Sequence, residues 1–283
     1  MEKNFEKYKN IIDKNLEKYV NIKSDKLKDS VIYSLTSEGK RIRGILLLLV
    51  FESITNSSDY KNILPFAVSL EMIHTYSLIH DDLPSMDNDE YRRGKSSNHI
   101  VFGEDIAILA GDALLNLAYE NMVNHIYKYP AKQNIKAMRI ISKAAGLMVS
   151  GQALDITHNT LNVDGKILFD IQKYKTAYLI HSALYTGAIL ATKNKKILSD
   201  FYTAGFYIGL SFQIKDDYND YLEYKKSSKK TSDIINDKAT YVSIFGENKA
   251  KEDIQILKSK ILIIFNKYNF KNNNLSDFVE WLF

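Results

Sequence analysis

The sequence predicts an all-α protein, one helical domain over residues 1–283, and three observations predict it. Only three prolines and twelve glycines punctuate 283 residues, too little turn material for a many-stranded sheet. Apolar side chains return at intervals of three and four through most of the chain, the period of a helix with one buried face. No segment shows the alternating pattern of a half-buried strand. A composition of 45% hydrophobic and 25% charged residues suits a globular chain with a sizeable core. No short repeat and no linker marks a domain boundary.

Composition also excludes several classes. The absence of cysteine rules out disulfides, zinc–thiolate sites and cysteine nucleophiles. A net charge of +4, from scattered basic residues, does not make a nucleic-acid surface. The first residues, Met1 to Lys7, lack the apolar core of a signal peptide. The longest purely apolar run, Ile45 to Phe51, is far short of the ~20 residues that cross a bilayer. The expectation is a soluble, cytoplasmic protein without membrane insertion.

In chain order, residues 2–23 read as an amphipathic helix through Phe5, Tyr8, Ile11, Ile12, Leu16 and Val20. A second covers 25–36 with Leu27, Val31, Ile32 and Leu35. The corner Glu38-Gly-Lys-Arg-Ile-Arg-Gly44 then leads into Ile45–Phe51. Its three cations, Lys40, Arg41 and Arg43, are either a solvated corner or an anion site at a helix N-terminus. Residues 64–82 carry Leu64, Val68, Met72, Ile73, Leu78 and Ile79 on a helical pattern. Pro84 has no N–H for the His80 carbonyl, so that helix should kink or stop near Asp82.

Ile106 to Val123 forms a long apolar helix whose alanines and leucines suit close packing against another helix, across a subunit boundary included. Its Asp112 is buried by pattern and fits a structural hydrogen bond. Residues 131–158 follow, with Gly151-Gln152 and Asp155 on the later turns. In the helix Asp170 to Ala191, Lys175-Thr176 lies among Ile171, Tyr174, Leu179 and Ile180, where an inward lysine needs an anionic partner. Phe201 to Tyr221 ends in Gln213-Ile-Lys-Asp216-Asp217-Tyr-Asn-Asp220. The polar stretch Lys225 to Ser232 is either an exposed loop or a lid over phosphate. Two or three helices complete the chain from Tyr241 to Phe283.

The chemistry concentrates between Glu71 and Asn98. An apolar helix delivers Asp81 and Asp82, then come Asp87 and the pair Arg92-Arg93. Carboxylates hold hard divalent cations through oxygen, and guanidinium groups fork onto phosphate, so the set fits a metal-carried polyanion. Positions six apart do not share a helix face, whereas a bulge of about two residues returns Asp87 to Asp81. Downstream, Asp216 and Asp220 are four apart, and their like charges destabilise a helix unless a shared cation neutralises them.

His74-Thr-Tyr76-Ser-Leu-Ile-His-Asp81-Asp82-Leu-Pro-Ser-Met-Asp87, followed by Arg92-Arg93-Gly94, resembles the first aspartate-rich motif of the trans-polyprenyl (isoprenyl) diphosphate synthases. Its four residues between the second and third aspartates resemble the bacterial farnesyl diphosphate synthases. Gly39-Lys40-Arg41-Ile42-Arg43, Gly111-Asp112, Gly151-Gln152-Ala153-Leu154-Asp155, Lys175-Thr176 and Asp216-Asp217-Tyr218-Asn219-Asp220 resemble the remaining motifs in order. The likeness runs from residue 38 to about 245.

The resemblance implies an isoprenoid synthase helical bundle around a deep central cavity, one polyprenyl synthetase domain over 1–283, usually a homodimer. It implies condensation of isopentenyl diphosphate with an allylic diphosphate. Asp81, Asp87 and Asp216 would ligate three Mg²⁺ ions, with Asp82, Asp217 and Asp220 supporting them. Arg92, Lys175, Lys238 and one of Lys229 or Lys230 would cage the allylic diphosphate; Lys40, Arg43, His74 and Arg93 would bind isopentenyl diphosphate. Thr176 and Gln213 would face the carbocation. Tyr76, five residues before Asp81, would limit the product to C15 farnesyl diphosphate, unless it is simply a core tyrosine.

Several positions depart from the family pattern. Gly44 stands where proline is usual, Asn236-Asp237-Lys238 replaces a Gly-Lys, and Trp281-Leu282-Phe283 ends the chain without a basic tail. The rival readings are a geranylgeranyl (C20) synthase, a terpene cyclase and a non-catalytic subunit. A cyclase would change the second motif and lack the Gly-Lys-Arg corner, and a subunit would lose one acidic motif. An EF-hand at Asp87-Asn88-Asp89 fails, because Arg92 occupies the required glycine position.

Overall fold

A computed structural model describes residues 3–158, 163–227 and 239–283. These residues form a helical protein, and they group into two compact units. The first holds residues 1–48 and 57–139, the second 49–56 and 140–283.

The first unit begins with α1 (Lys3–Leu16), a short 3-10 turn (Glu17–Tyr19) and α2 (Asp25–Leu35). Phe5, Tyr8, Ile12 and Leu16 bury one face of α1, as the spacing predicts. Next come the first turns of α3 (Ile42–Thr55) and then α4 (Leu64–Asp81). Pro65 sits in the first turn of α4, where its missing N–H costs nothing.

After α4 lies an element that the sequence pattern did not signal, a two-stranded antiparallel hairpin of β1 (Tyr91–Arg92) and β2 (Lys95–Ser96). Its turn residues, Arg93 and Gly94, both have positive φ (54° and 77°), as a type I′ two-residue loop requires. Two residues per strand are too few to show alternation. The hairpin leads to α5 (Asn98–Phe102) and α6 (Glu104–Lys128), separated by Gly103 at φ 93°.

α6 packs on α4 through its small residues, and Ser69 Oγ donates to the Ala118 carbonyl at 2.8 Å. Asp112 of α6 is exposed rather than buried, because the inward position beside it belongs to Gly111, which lies under the His80 ring of α4. Asn98 staples the hairpin's end to α2: it accepts from Ser30 Oγ (2.8 Å) and donates to the Ser30 carbonyl (2.9 Å) and Ser34 Oγ (2.8 Å). Among the described helices α6 alone has the length and apolarity to cross a membrane; it packs against α4, and its apolar window is 39% buried.

The second unit continues with α7 (Lys132–Thr157), which begins in the first, then α8 (Gly165–Gln172), α9 (Tyr178–Ala191) and α10 (Lys195–Ser227). Asp164 caps α8, accepting from Lys166 N (2.9 Å) and Ile167 N (2.8 Å). Where the pattern predicts one helix over 170–191, a π-helical turn, Lys173–Ala177, divides α8 from α9. Glycines on both sides make room for it. A Cβ on Gly151 of α7 would overlap the backbone of Tyr174 and Lys175, and one on Gly209 of α10 would lie 2.6 Å from Ala177 Cα. Two bare backbones therefore press on the widened turn.

α10 runs further than predicted, through Ser227, and is followed by α11 (Tyr241–Phe245), α12 (Glu247–Asn266) and α13 (Asn274–Leu282). Thr240 and Ser243 form a capping box at α11. Ile214, Val242, Ala250 and Ile254 bury a cluster between α10, α11 and α12.

Candidate active site

Each unit carries one acidic motif, built locally in a way the other does not share. In the first unit α4 stops at Asp81, two residues short of Leu83 and three short of Pro84. The chain loops outward over residues 82–86 and returns, so that the Asp87 N–H donates to the Asp81 carbonyl at 2.9 Å. Asn88 closes the loop onto the Leu83 carbonyl (3.1 Å) with φ 54°, a conformation that asparagine tolerates. The backbones of Asp81 and Asp87 are adjacent despite their six-residue separation.

Asp82 faces inward, 2% exposed. Arg92 holds it through both Nε (2.8 Å) and Nη2, and bonds Asp89 at 2.8 Å with the same Nη2. Burial raises the Asp82 pKa, against the pull of the Arg92 hydrogen bond. Burial lowers that of Arg92, but the Asp82 contact outweighs it and the net shift is upward. Arg92 thus braces the loop, a role the resemblance did not imply; contact with a diphosphate would have to be added to those bonds.

The Gly39–Gly44 corner is not a solvated one. Arg41 and Arg43 are 4% and 8% exposed, and only Lys40 is turned to solvent. Arg41, at φ 49°, is pinned by Asp13 (2.8 Å) and the Ser37 carbonyl (2.8 Å). Arg93 lies against Gly39, where a Cβ would come within 2.8 Å of its Nη1, and its Nη2 approaches His74 Nε2 at 3.4 Å. His74 is held neutral, its pKa well below the usual histidine value, first by burial and then by Arg43, Arg93, Arg41 and Arg92. Arg43, His74 and Arg93 therefore share one cationic neighbourhood, with Arg41 as an inner member that spacing alone did not distinguish. Gly44 N–H donates to the buried Glu71 at 2.9 Å, a bond that proline there would forbid.

Tyr76 is 6% exposed on α4, edge-on to His80 at 5.7 Å. Burial, then Tyr119 and Asp81, push its pKa up to about 12. It is a neutral hydroxyl one turn from the acidic motif.

In the second unit the π turn presents Lys175 and Thr176. Lys175 Nζ donates to Asp155 Oδ2 at 2.6 Å, which supplies the anionic partner that the inward lysine requires. Thr176 Oγ1 donates to Gln213 Oε1 at 2.7 Å, and Gln213 Nε2 donates to Asp217 Oδ1 at 2.7 Å. Asp217, 5% exposed, also accepts from Gln172 Nε2 (2.9 Å) and Tyr241 N (2.6 Å). Gln172 has no signal in the sequence, since nothing in its spacing foretells a bond to a helix 45 residues on. Asp155, Lys175, Thr176, Gln213 and Asp217 line one cavity. Asp216 lies exposed and Asp220 half-buried one turn on, while Asp217 turns inward between them.

Lys229, Lys230 and Lys238 lie outside the described residues. Among the described residues no three His, Asp or Glu side chains converge as a closed metal cage. The donors still fit Mg²⁺, which takes oxygen from one or two carboxylates and completes its shell with substrate phosphate and water rather than from an all-protein cage.

A model of the polyprenyl synthetase family matches residues 24–271. The chain is 38% identical to a farnesyl diphosphate synthase of Micrococcus luteus over 96% of its own length and 94% of the relative's. It is 40% identical to a geranylgeranyl diphosphate synthase of Cyanophora paradoxa, covering 84% and 82%. The crystal structure of a geranyltransferase from Legionella pneumophila superposes with a TM-score of 0.84 at 30% identity, over 98% and 95% of the two chains.

Proposed function

We propose that this chain, which belongs to the polyprenyl synthetase family, is a short-chain prenyltransferase acting as one domain. It joins one isopentenyl diphosphate to geranyl diphosphate, or two in succession to dimethylallyl diphosphate, and yields farnesyl diphosphate (C15), with one pyrophosphate and one proton released at each condensation. The observation that carries this reading is the loop at 82–87. It sets Asp81 beside Asp87 at the end of an apolar helix and is braced by Arg92.

Mg²⁺, three ions by family analogy and held by Asp81, Asp87 and Asp216, would supply positive charge to a diphosphate leaving group. Lys175 binds the same diphosphate by exchanging Asp155 for a phosphate oxygen, and Arg92, Lys238 and one of Lys229 or Lys230 add to that cage. Lys40, Arg43 and Arg93 hold isopentenyl diphosphate. His74, kept neutral, accepts from Arg93 and so orients it. As the allylic C–O bond breaks, the Thr176 oxygen and the Gln213 amide face the cation with preorganised dipoles. The isopentenyl double bond then attacks, and the departing pyrophosphate takes the proton, so no side-chain base is needed.

Tyr76 closes the far end of the chain-elongation path and favours C15 over C20. The exposed apolar positions Ile108, Leu109, Val123 and Tyr127 on α6 support a homodimer through that helix. Incubation with isopentenyl and geranyl diphosphates and Mg²⁺, followed by product sizing, tests the reading. A C15 product supports it, and unconsumed substrates overturn it.

A further inference from the structure

We propose that Asp217 is a positioning residue, which sets the direction of a hydrogen-bond relay so that the Thr176 hydroxyl turns its lone pairs toward the reacting cation. The inference deepens the prenyl-transfer reading and rests on it. It departs from the support of metals and their waters that the motif resemblance implies for Asp217.

The direction follows from donor and acceptor capacity. An ionised carboxylate only accepts. The Gln213 amide must therefore turn its NH₂ to Asp217, 2.7 Å away, and its oxygen to Thr176. The Thr176 proton is then used on Gln213, at 2.7 Å, and only oxygen lone pairs remain for the cavity that both residues line. Were the amide reversed, its NH₂ would donate to Thr176, and the hydroxyl proton would be released into the cavity. A cation there would meet the positive end of the O–H dipole.

Asp217 itself has little freedom to turn. Gln172 Nε2 and Tyr241 N fix its other oxygen at 2.9 and 2.6 Å, from two further elements of the same unit. With Gln213 these make three donors converging on a carboxylate 5% exposed. The π turn, pressed between Gly151 and Gly209, fixes the other end of the relay.

The test compares Asp217→Asn, Thr176→Val and the double variant with the wild type. For each, kcat, the KM of both diphosphates, the Mg²⁺ concentration at half-maximal rate and the thermal midpoint are measured. The amide introduced by Asp217→Asn can offer an oxygen to only part of the donor set, so Gln213 loses its fixed direction. Each single variant is expected to lose about 10²–10³-fold in kcat, the scale of one lost preorganised dipole. The isopentenyl diphosphate KM and the Mg²⁺ requirement should hold within about twofold, and the double variant should lose no more than the worse single, as members of one relay do.

A tenfold rise in the Mg²⁺ requirement with kcat intact, or losses that multiply in the double variant, would overturn the assignment. If Asp217→Asn does not fold, Gln172→Met removes a donor that fixes the Asp217 carboxylate and leaves Gln213 and Thr176, which face the cation, in place. Wild-type kcat in that variant overturns the proposal, and the same selective loss supports it. A wild type that transfers no prenyl group fails the parent reading instead, so the two failures are distinct.

Discussion

His80 Nε2 meets the Ile108 carbonyl at 3.0 Å, with its ring lying directly over Gly111. A carbonyl only accepts, so the proton is on Nε2. This contact fixes the last turn of α4 against α6, one residue before Asp81. It also gives the Gly111-Asp112 motif a physical reason, because any side chain at 111 would occupy the space of the imidazole.

Gly111→Ala should therefore displace His80 and break its bond to Ile108. Overpacking of this kind costs about 1–3 kcal/mol. Urea unfolding would read the loss, and an unchanged midpoint would show that the His80 contact does not hold α4 in place.

Arg92 is expected to matter for stability as well as substrate. Arg92→Gln leaves the Asp82 carboxylate, 2% exposed, without its forked donor, at a cost of about 1–3 kcal/mol. Chemical denaturation measures this in the absence of any substrate. An Arg92→Gln variant as stable as the wild type would mean that the arginine serves the diphosphate alone.

Tyr76→Ala should lengthen the product beyond C15, since the ring is buried five residues before Asp81. Chromatographic sizing of the prenyl chains, after removal of the diphosphate, reads the outcome. An unchanged C15 product would make Tyr76 a core residue and move the chain-length limit elsewhere.

The protein should lose stability as pH falls through the histidine range, with His181 a main contributor. Its ring is 3% exposed, stacked on Phe206 at 4.0 Å and edge-on to Tyr202 at 4.5 Å, and burial lowers its pKa to about 4. The unfolded chain takes up a proton near pH 6.5 while the folded chain does not. The contribution of neutral His181 is thus full above about pH 6.5, falls as the pH drops, and levels off below about 4. Over that window the loss is on the order of 3 kcal/mol. His181→Phe should flatten the difference between denaturation at pH 7 and pH 5, and an equal slope in both proteins would contradict the assignment.

The helices were legible wherever one face is buried over several turns, as in α1 and α2, and so was the stop of α4 before Pro84. The return of Asp87 to Asp81 was legible because a proline and a six-residue spacing leave few alternatives. The π turn was not. The room for it comes from Gly151 and Gly209, on two other helices, which no local pattern around Lys175 can report. The same holds for Arg92 and Asp217. Charge and motif position suggest ligands, whereas bonds to distant side chains make each an anchor, Arg92 on the buried Asp82 and Asp217 under Gln172, and those bonds depend on tertiary neighbours. The β-hairpin escaped because two residues per strand show no alternation, and Arg92-Arg93 reads equally as a phosphate-binding pair.

If carboxylates from two distant motifs serve one metal-bound diphosphate, turnover must need both. Consumption of isopentenyl and geranyl diphosphates, followed against Mg²⁺ concentration for the wild type, Asp81→Ala and Asp216→Ala, tests this most directly. The expected result is Mg²⁺-dependent C15 formation by the wild type and a loss of at least about 10²–10³-fold in each variant with the fold intact. Wild-type turnover by either variant would contradict it.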